Sequence, residues 1–390
     1  MDRLKRAAAI TGIGELKPLK RTELSSDDLM MDAVRLALED SGLEAKDIDG
    51  ILITPPLSST ITMAHAGAVA EMLGIRPTYA NVVDMAGASG ASQVWKAASG
   101  IADGMAKHVL CITGEATNPR AFQNMPRRMS LGFHDVDFES PYGAMGAPSG
   151  YALAAMRHQH EYGTTAEMRA RISVDQRTNA QANPDAMFYG VPITTEDVIN
   201  SRLVSDPFHL LEIVMPVSGA AAFIVSEAEA AKTMKNPPVW LLGAAEMIGH
   251  SSISQAKSVT TSPVAYTGPK ALERAGVAHK DIDLLSIYDC FTIKVMMTIE
   301  DAGFCEKGKV GPWALEHDMT YKGELPVNTH GGQMSFGQAG LAGGTSHVIE
   351  AVRQLRHQAG ERQIEDCELV FVNGNGGIMA EECSLVLSNN

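Results

Sequence analysis

Apolar and polar positions alternate between short β-branched or aliphatic runs and longer stretches with helical spacing. At residues 81–94, NVVDMAGASGASQV, the apolar pair Val82-Val83 runs into small residues and two glycines, and a helical pattern opens at Ala91. This spacing predicts a strand–turn–helix elbow. Residues 37–53, ALEDSGLEAKDIDGILI, predict a helix ending at Gly42, a short acidic turn and an apolar strand. Residues 271–287, ALERAGVAHKDIDLLSI, repeat that unit at an offset of 234 with nine of seventeen positions identical, and Gly276 stands where Gly42 stood. A second pair follows in the same order. The helix after Gly90, running to about Met105, leads into HVLCITGE; the helix from Thr345 to Arg356 leads into CELVFVNG. Two ordered matches predict a duplicated α/β unit, with mixed sheets covered by helices on both sides.

The chain between the repeats has a different texture. Residues 118–150 are rich in Met, Pro, Gly, His and Arg, and helical patterns return at Tyr151–Tyr162 and Ala166–Ala182, with ITTEDVINS as a capped helix start. The predicted division is an N-terminal half from 1–117 and 218–235, an insertion at 118–217, and a C-terminal half at 236–390. A long insertion on a rigid core is a lid or binding loop, or else a passive surface excursion.

Composition narrows the class. A chain of 390 residues, 45% hydrophobic and 20% charged, can bury a large core. The net charge of -14 disfavours nucleic acid, which wants a basic face, but leaves room for a small anionic ligand held by local donors. Five scattered cysteines, without CxxC or mixed Cys/His spacing, argue for a reducing compartment and against a disulfide framework or a zinc site. No apolar run approaches the length of a membrane span, and the opening MDRLKRAAAITGIGE lacks a secretory apolar core, so the expected location is cytoplasmic.

Eight short motifs then occur in order: ITGIGE (10–15), GASGAS (87–92), EYGTT (161–165), NPDA (183–186), SGAAAFIVS (218–226), YDCFT (288–292), NTHGG (328–332) and NGNGG (373–377). Together they resemble the thiolase superfamily over nearly the whole chain, and most closely its lipid-transfer-protein (SCP-x type) branch. The resemblance implies a five-layered αβαβα fold of two duplicated halves with an inserted loop domain over the active site. It also implies an acyl-CoA substrate, with coenzyme A entering as part of the substrate and no covalently bound cofactor. A homodimer is implied too, and relatives in the branch work with a small OB-fold, zinc-ribbon partner.

The family's catalytic groups are replaced. Gly87 matches the acyl-accepting cysteine, Gln338 the histidine of the second motif, and Phe371 lies near the cysteine of the third. Ser89 is either a substitute nucleophile or the cap of the following helix. The elbow and the NGNGG turn, through Gly87, Ser89, Gly374 and Gly376, can offer main-chain donors to an oxyanion. Tyr288 heads the YDCF motif, where thiolases carry Asn or His. With the missing cysteine, this pattern resembles the steroid side-chain aldolases of the branch, which cleave a β-hydroxyacyl-CoA by a retro-aldol step. A phenol can move the proton if neighbours lower its pKa. Those aldolases carry a second tyrosine where Gln338 stands. His330 either supplies the missing acid–base group or is a histidine held in a tight turn. Asp289 fixes loop geometry or titrates; Cys290 is a small buried hydrophobe or a thiol. Arg127 and Arg128 either meet the coenzyme A phosphates or form a solvated surface pair. His158 and His160, two apart on one helix, face different ways, and no metal site is expected. Three functions remain open: a retro-aldol lyase, a thiolase-type acyltransferase on a β-ketoacyl-CoA, and a non-catalytic acyl-CoA-binding subunit.

Overall fold

The computed structural model describes residues 3–59, 63–117, 135–144 and 146–390. Its strands are β1 (Ala8–Glu15), β2 (Gly50–Ile53), β3 (Tyr79–Val82), β4 (His108–Glu115), a small hairpin β5–β6 (Leu203–Ser205, Phe208–His209), β7 (Gly219–Glu227), β8 (Val239–Ile248), β9 (Leu284–Ile287), β10 (Leu369–Gly376) and β11 (Glu381–Ser388). The helices that matter here are α1 (Ser26–Ser41), α2 (His65–Leu73), α3 (Ser89–Ala102), α4 (Gly146–Tyr162), α5 (Ala166–Gln181), α6 (Val264–Ala275), α7 (Thr292–Asp301) and α8 (Gly343–Leu355).

One nine-stranded sheet runs β3-β2-β4-β7-β1-β8-β11-β10-β9. Its two halves join where β1 pairs antiparallel with β8. Reading outward from that seam, β1-β7-β4-β2 and β8-β11-β10-β9 have the same order and the same directions. The place of β3 in the second half is taken by a single parallel bridge from Val327 to Leu285.

The repeat legible in the chain is the repeat in space. α1 ends on Gly42 and α6 on Gly276, both left-handed, at φ 77° and 73°. A 3-10 turn follows each (Ala45–Asp47 and His279–Asp281) and leads into β2 and β9. Each half also carries the same defect. Thr11 is an extra residue in β1 against β7, and Leu242 is an extra residue in β8 against β11. Such bulges bend a strand and sharpen its twist. The residue after each bulge is a glycine pressed under a helix. A Cβ on Gly12 would lie 2.7 Å from Ser41 Cβ, and one on Gly243 would lie 2.6 Å from the Ala275 backbone nitrogen.

Alternation along the strands separates the layers. In β4, Leu110 and Ile112 join the core under α1 and α2, whereas Val109 and Cys111 join the core around α3 and α8. In β10, Val370 and Val372 face that central core, and Phe371 faces a third core shared with α6 and α7. The layers therefore run helix, sheet, helix, sheet, helix, with α3 and α8 packed together in the middle. The insertion's helices α4 and α5 pack on α7 of the second half. Among the described residues no helix is long and apolar enough to cross a membrane.

Gly243→Ala forces a methyl into the backbone of α6, so we expect it to cost about 1–3 kcal/mol, the usual range for overpacking. Urea melts followed by circular dichroism measure this, and Gly12→Ala should cost a similar amount through α1.

Candidate active site

The elbow precedes α3, which begins at Ser89, two residues earlier than the apolar pattern suggests. The turn is held by Ser89 itself. Its Oγ donates to the Ala86 carbonyl at 2.7 Å and accepts from the Met85 N–H at 2.9 Å, while Ala88 N–H returns to the Met85 carbonyl. Ser89 is thus spent on the turn, and the backbone at Ala86 takes a positive φ of 44°. Sequence spacing named the serine but left its role open; the bonds place it as a brace.

Glycines let three segments converge here. A Cβ on Gly374 would sit 2.9 Å from Ala88 Cα, one on Gly376 would sit 3.0 Å from the Met85 carbonyl carbon, and one on Gly90 would sit 2.8 Å from Thr345 Cα. Gly374 and Gly376 also pair in the sheet, opposite Cys383 and Glu381. Their evident contribution is close approach: they allow the elbow to rest on β10 and the start of α8.

Gly87 is the pivotal case. A Cβ on it would lie 2.5 Å from the Asn375 carbonyl oxygen and would collide with the hydroxyl of Tyr288. The space that a cysteine side chain would need is filled by a phenol. Tyr288 follows β9, with its backbone N–H bonded to the Asn373 carbonyl at 3.0 Å. Its hydroxyl accepts from Gln338 Nε2 at 2.9 Å, and the same nitrogen donates to the Gly340 carbonyl at 3.2 Å. Because the amide nitrogen serves the carbonyl, it is a donor to the phenol as well, and the phenol's own hydrogen is left to point elsewhere. Burial, reinforced by Cys290, Asp289 and Glu382, pushes the phenol well above its ordinary pKa. This corrects the expectation of a lowered value: Tyr288 is a neutral donor at physiological pH.

Asp289 does what a loop anchor does. Oδ1 accepts from Gln333 N–H at 2.8 Å and Oδ2 from Met334 N–H at 3.1 Å. Cys290 is not on a strand; it lies in the turn after β9, and burial pushes its thiol up to about 12. The other four cysteines are raised too: Cys305 and Cys367 to about 12, and Cys111 and Cys383 well above normal. Phe371, placed near the third-motif cysteine by spacing, instead turns into the outer core against Phe304. The group of that turn that reaches Gly87 is Asn375, whose side chain also donates to Tyr151 Oη of α4 at 2.8 Å.

His330 is buried, and neither ring nitrogen is hydrogen-bonded among the described residues. Burial, with His347 next in weight, holds its pKa well below normal. Its ring meets that of His347 at 5.1 Å, and it is His347 whose ring lies 6.2 Å from Tyr288. Sequence reading missed His347, Tyr151 and Asn375. A lone histidine within an apolar helix gave no signal, and Tyr151 reaches the site only because α4 folds back onto α7. His158 bonds Glu300 at 2.9 Å and Thr164 at 2.6 Å inside the core, while His160 is exposed. Arg127 and Arg128 lie outside the described residues.

Two results follow. Gly87→Ala should displace the phenol and lower kcat by about 10²-fold, as misplacement of a reacting group by an ångström does. Alkylation with iodoacetamide at pH 8 should leave turnover intact, because each cysteine stays a thiol there; inactivation that tracks one modified cysteine would contradict the site.

Comparison with known proteins identifies the family and the fold. Residues 7–206 match the thiolase N-terminal domain and residues 245–389 the thiolase C-terminal domain-like model. The chain is 33% identical to a steroid side-chain-cleaving aldolase of Thermomonospora curvata, covering 97% of each. It is 32% identical to an acetyl-CoA acetyltransferase of Methanothermobacter thermautotrophicus, over 95% of this chain and 97% of that one. It is 31% identical to the 17-hydroxy-3-oxo-4-pregnene-20-carboxyl-CoA lyase of Mycobacterium tuberculosis, with the same coverage. Among solved structures, the Ltp2-ChsH2(DUF35) aldolase superposes with a TM-score of 0.87 at 31% identity, covering 99% of this chain and 98% of that one.

Proposed function

This chain belongs to the thiolase family, and on that premise we propose that it is a carbon–carbon lyase that cleaves a β-hydroxyacyl-CoA by a retro-aldol step. It is an enzyme of CoA-thioester chemistry, as its aldolase, lyase and acetyltransferase relatives are named to be. The observation that carries the reading is the exclusion at position 87: the phenol of Tyr288 occupies the volume of the missing acyl-accepting side chain.

In the reaction the β-hydroxyl O–H and the Cα–Cβ bond break. A carbonyl forms at Cβ, and the electron pair passes to the thioester as an enolate, which takes a proton at Cα. No bond to the protein is needed. Tyr288, a neutral phenol, relays the proton: its own hydrogen goes to Cα as its oxygen receives the β-hydroxyl proton, Gln338 holds that oxygen, and main-chain donors of the elbow at Gly87 serve the enolate oxygen. Arg127 and Arg128 are proposed for the coenzyme A phosphates. His330, neutral and walled in, acts behind this set rather than on the substrate.

The acyl group is of steroid or comparable bulk, by analogy with the named lyases. A cytoplasmic homodimer is proposed as well: β3 is a sheet edge with Val82 exposed, which a second copy would cover. A small OB-fold, zinc-ribbon partner that completes the acyl-CoA site is supported by the two-component name of the Ltp2-ChsH2(DUF35) neighbour. The acyltransferase alternative requires an acylated side chain, which the raised thiols and the braced Ser89 disfavour.

The test uses 17-hydroxy-3-oxo-4-pregnene-20-carboxyl-CoA as probe, with and without the partner protein. Tyr288→Phe should lower kcat by about 10³-fold, within the usual range for a proton-transfer group, with the CoA-ester Kd unchanged. Unchanged turnover in that variant, an acyl adduct in the intact mass, or inertness in both settings would remove the lyase reading.

A further inference from the structure

The insertion reaches the site through Tyr151, which lies just past the first turn of α4 and is 1% exposed. Its single hydrogen goes to the Gly377 carbonyl at 3.1 Å, so its oxygen accepts from Asn375 Nδ2 at 2.8 Å. One hydroxyl thus ties both ends of the Asn375–Gly377 turn. We propose that Tyr151 is a positioning residue for the cleavage: its hydroxyl holds that turn against the elbow and so sets the spacing between Gly87 and the phenol of Tyr288. This rests on the lyase reading.

The turn bears directly on the reacting groups. The Asn375 carbonyl oxygen lies 2.5 Å from where a Cβ on Gly87 would stand, the point that the Tyr288 hydroxyl also crowds. A Cβ on Gly376 would lie 3.0 Å from the Met85 carbonyl carbon, so the turn rests on the backbone of the elbow. Two residues before Asn375, the carbonyl of Asn373 accepts the Tyr288 N–H at 3.0 Å. A shift of the turn is therefore passed to the elbow and the phenol together, because so dense an interior transmits displacement. The Asn375 side chain has no second tether: its Oδ1 is unpartnered, and its Nδ2 bonds only Tyr151 among the described residues.

Tyr151 is itself well fixed. Its ring stacks on Phe291 of the YDCFT motif, with centroids 4.4 Å apart and planes at 21°. Burial pushes its phenol well above the ordinary pKa, with the Cys290 thiol beside the hydroxyl adding to the effect, so it keeps the hydrogen that Gly377 receives. A Cβ on Gly150 would lie 2.9 Å from Ile378 Cγ2, which presses the start of α4 onto the residue after the turn. Two turns further along the same face of α4, His158 bonds Glu300 of α7 at 2.9 Å. The helix is thus anchored on α7 at one end and on the turn at the other. Buried behind the turn, Tyr151 acts through Asn375 and Gly377 and not on the substrate.

The experiment starts from wild type already shown to cleave the steroid CoA probe, with its partner if cleavage needs one, so that failure of the lyase reading appears first and separately. Tyr151→Phe removes one oxygen and keeps the ring stack. It should lower kcat by about 10-fold, part of the roughly 10²-fold that a misplacement of about 1 Å costs, and leave KM within about threefold. In a Tyr288→Phe background the same substitution should change the residual rate by less than about twofold, because the group it positions is gone. A merely structural role would lower the rate in both backgrounds alike. A folded Tyr151→Phe protein with unchanged kcat overturns the proposal, as does an equal loss in the two backgrounds. Should Tyr151→Phe not fold, Asn375→Ser, which removes the amide and leaves the phenol, is measured in both backgrounds: loss of kcat only where Tyr288 is present supports the proposal, and unchanged kcat or equal loss overturns it.

Discussion

Two side chains compete for one volume. The phenol of Tyr288 lies where a Cβ at position 87 would have to go, so a thiol on the elbow and a tyrosine after β9 cannot coexist in this backbone. Loss of the cysteine and arrival of the tyrosine are one event in steric terms. That exclusion decides the chemistry: with no attacker at the elbow, the site must act by hydrogen bonds and proton transfer.

The scaffold makes the exclusion strict. The elbow cannot retreat, because Gly374 and Gly376 already bring it onto β10 and Gly90 brings it onto Thr345 of α8. Ser89 closes the turn from within. Nor can the phenol swing away, since the Tyr288 backbone N–H is bonded to the Asn373 carbonyl and the hydroxyl accepts from Gln338. α3 and α8 form the shared middle layer of two half-sheets, so the site is built on a layer covered by strands on both sides. Interiors packed to this density transmit a displacement rather than absorb it.

Burial then sets the charge states. It holds Tyr288 protonated, all five cysteines as thiols and His330 neutral. Charged pairs at the same depth survive only where two partners meet, as in Lys294–Glu382 at 2.7 Å and Arg362–Glu350 at 2.9 Å. The Asp289–His347 contact is shared: Asp289 Oδ1 lies 3.2 Å and Gln333 Nε2 3.1 Å from the same His347 nitrogen.

The order of elements, the duplication and the absence of a cysteine at the elbow were all determined by the chain alone. Those are local facts: Gly42 and Gly276 end their helices by their own backbone freedom, and alternating apolar positions sort a strand's two faces without reference to anything distant. The sequence also named Tyr288, Gln338 and Gly87, though Gly87 lies 201 residues before Tyr288 and 251 before Gln338, because short motifs carry them. Only the tertiary structure decided that the tyrosine fills the glycine's space, that Ser89 is a brace, that Phe371 faces away while Asn375 faces in, and that His347 stands behind the phenol. Each of these depends on how α3, α8, β9 and β10 are pressed together, and the acidity of every group there depends on how completely water is shut out. Neither distance across the core nor exclusion of solvent is a property of neighbouring residues along the chain.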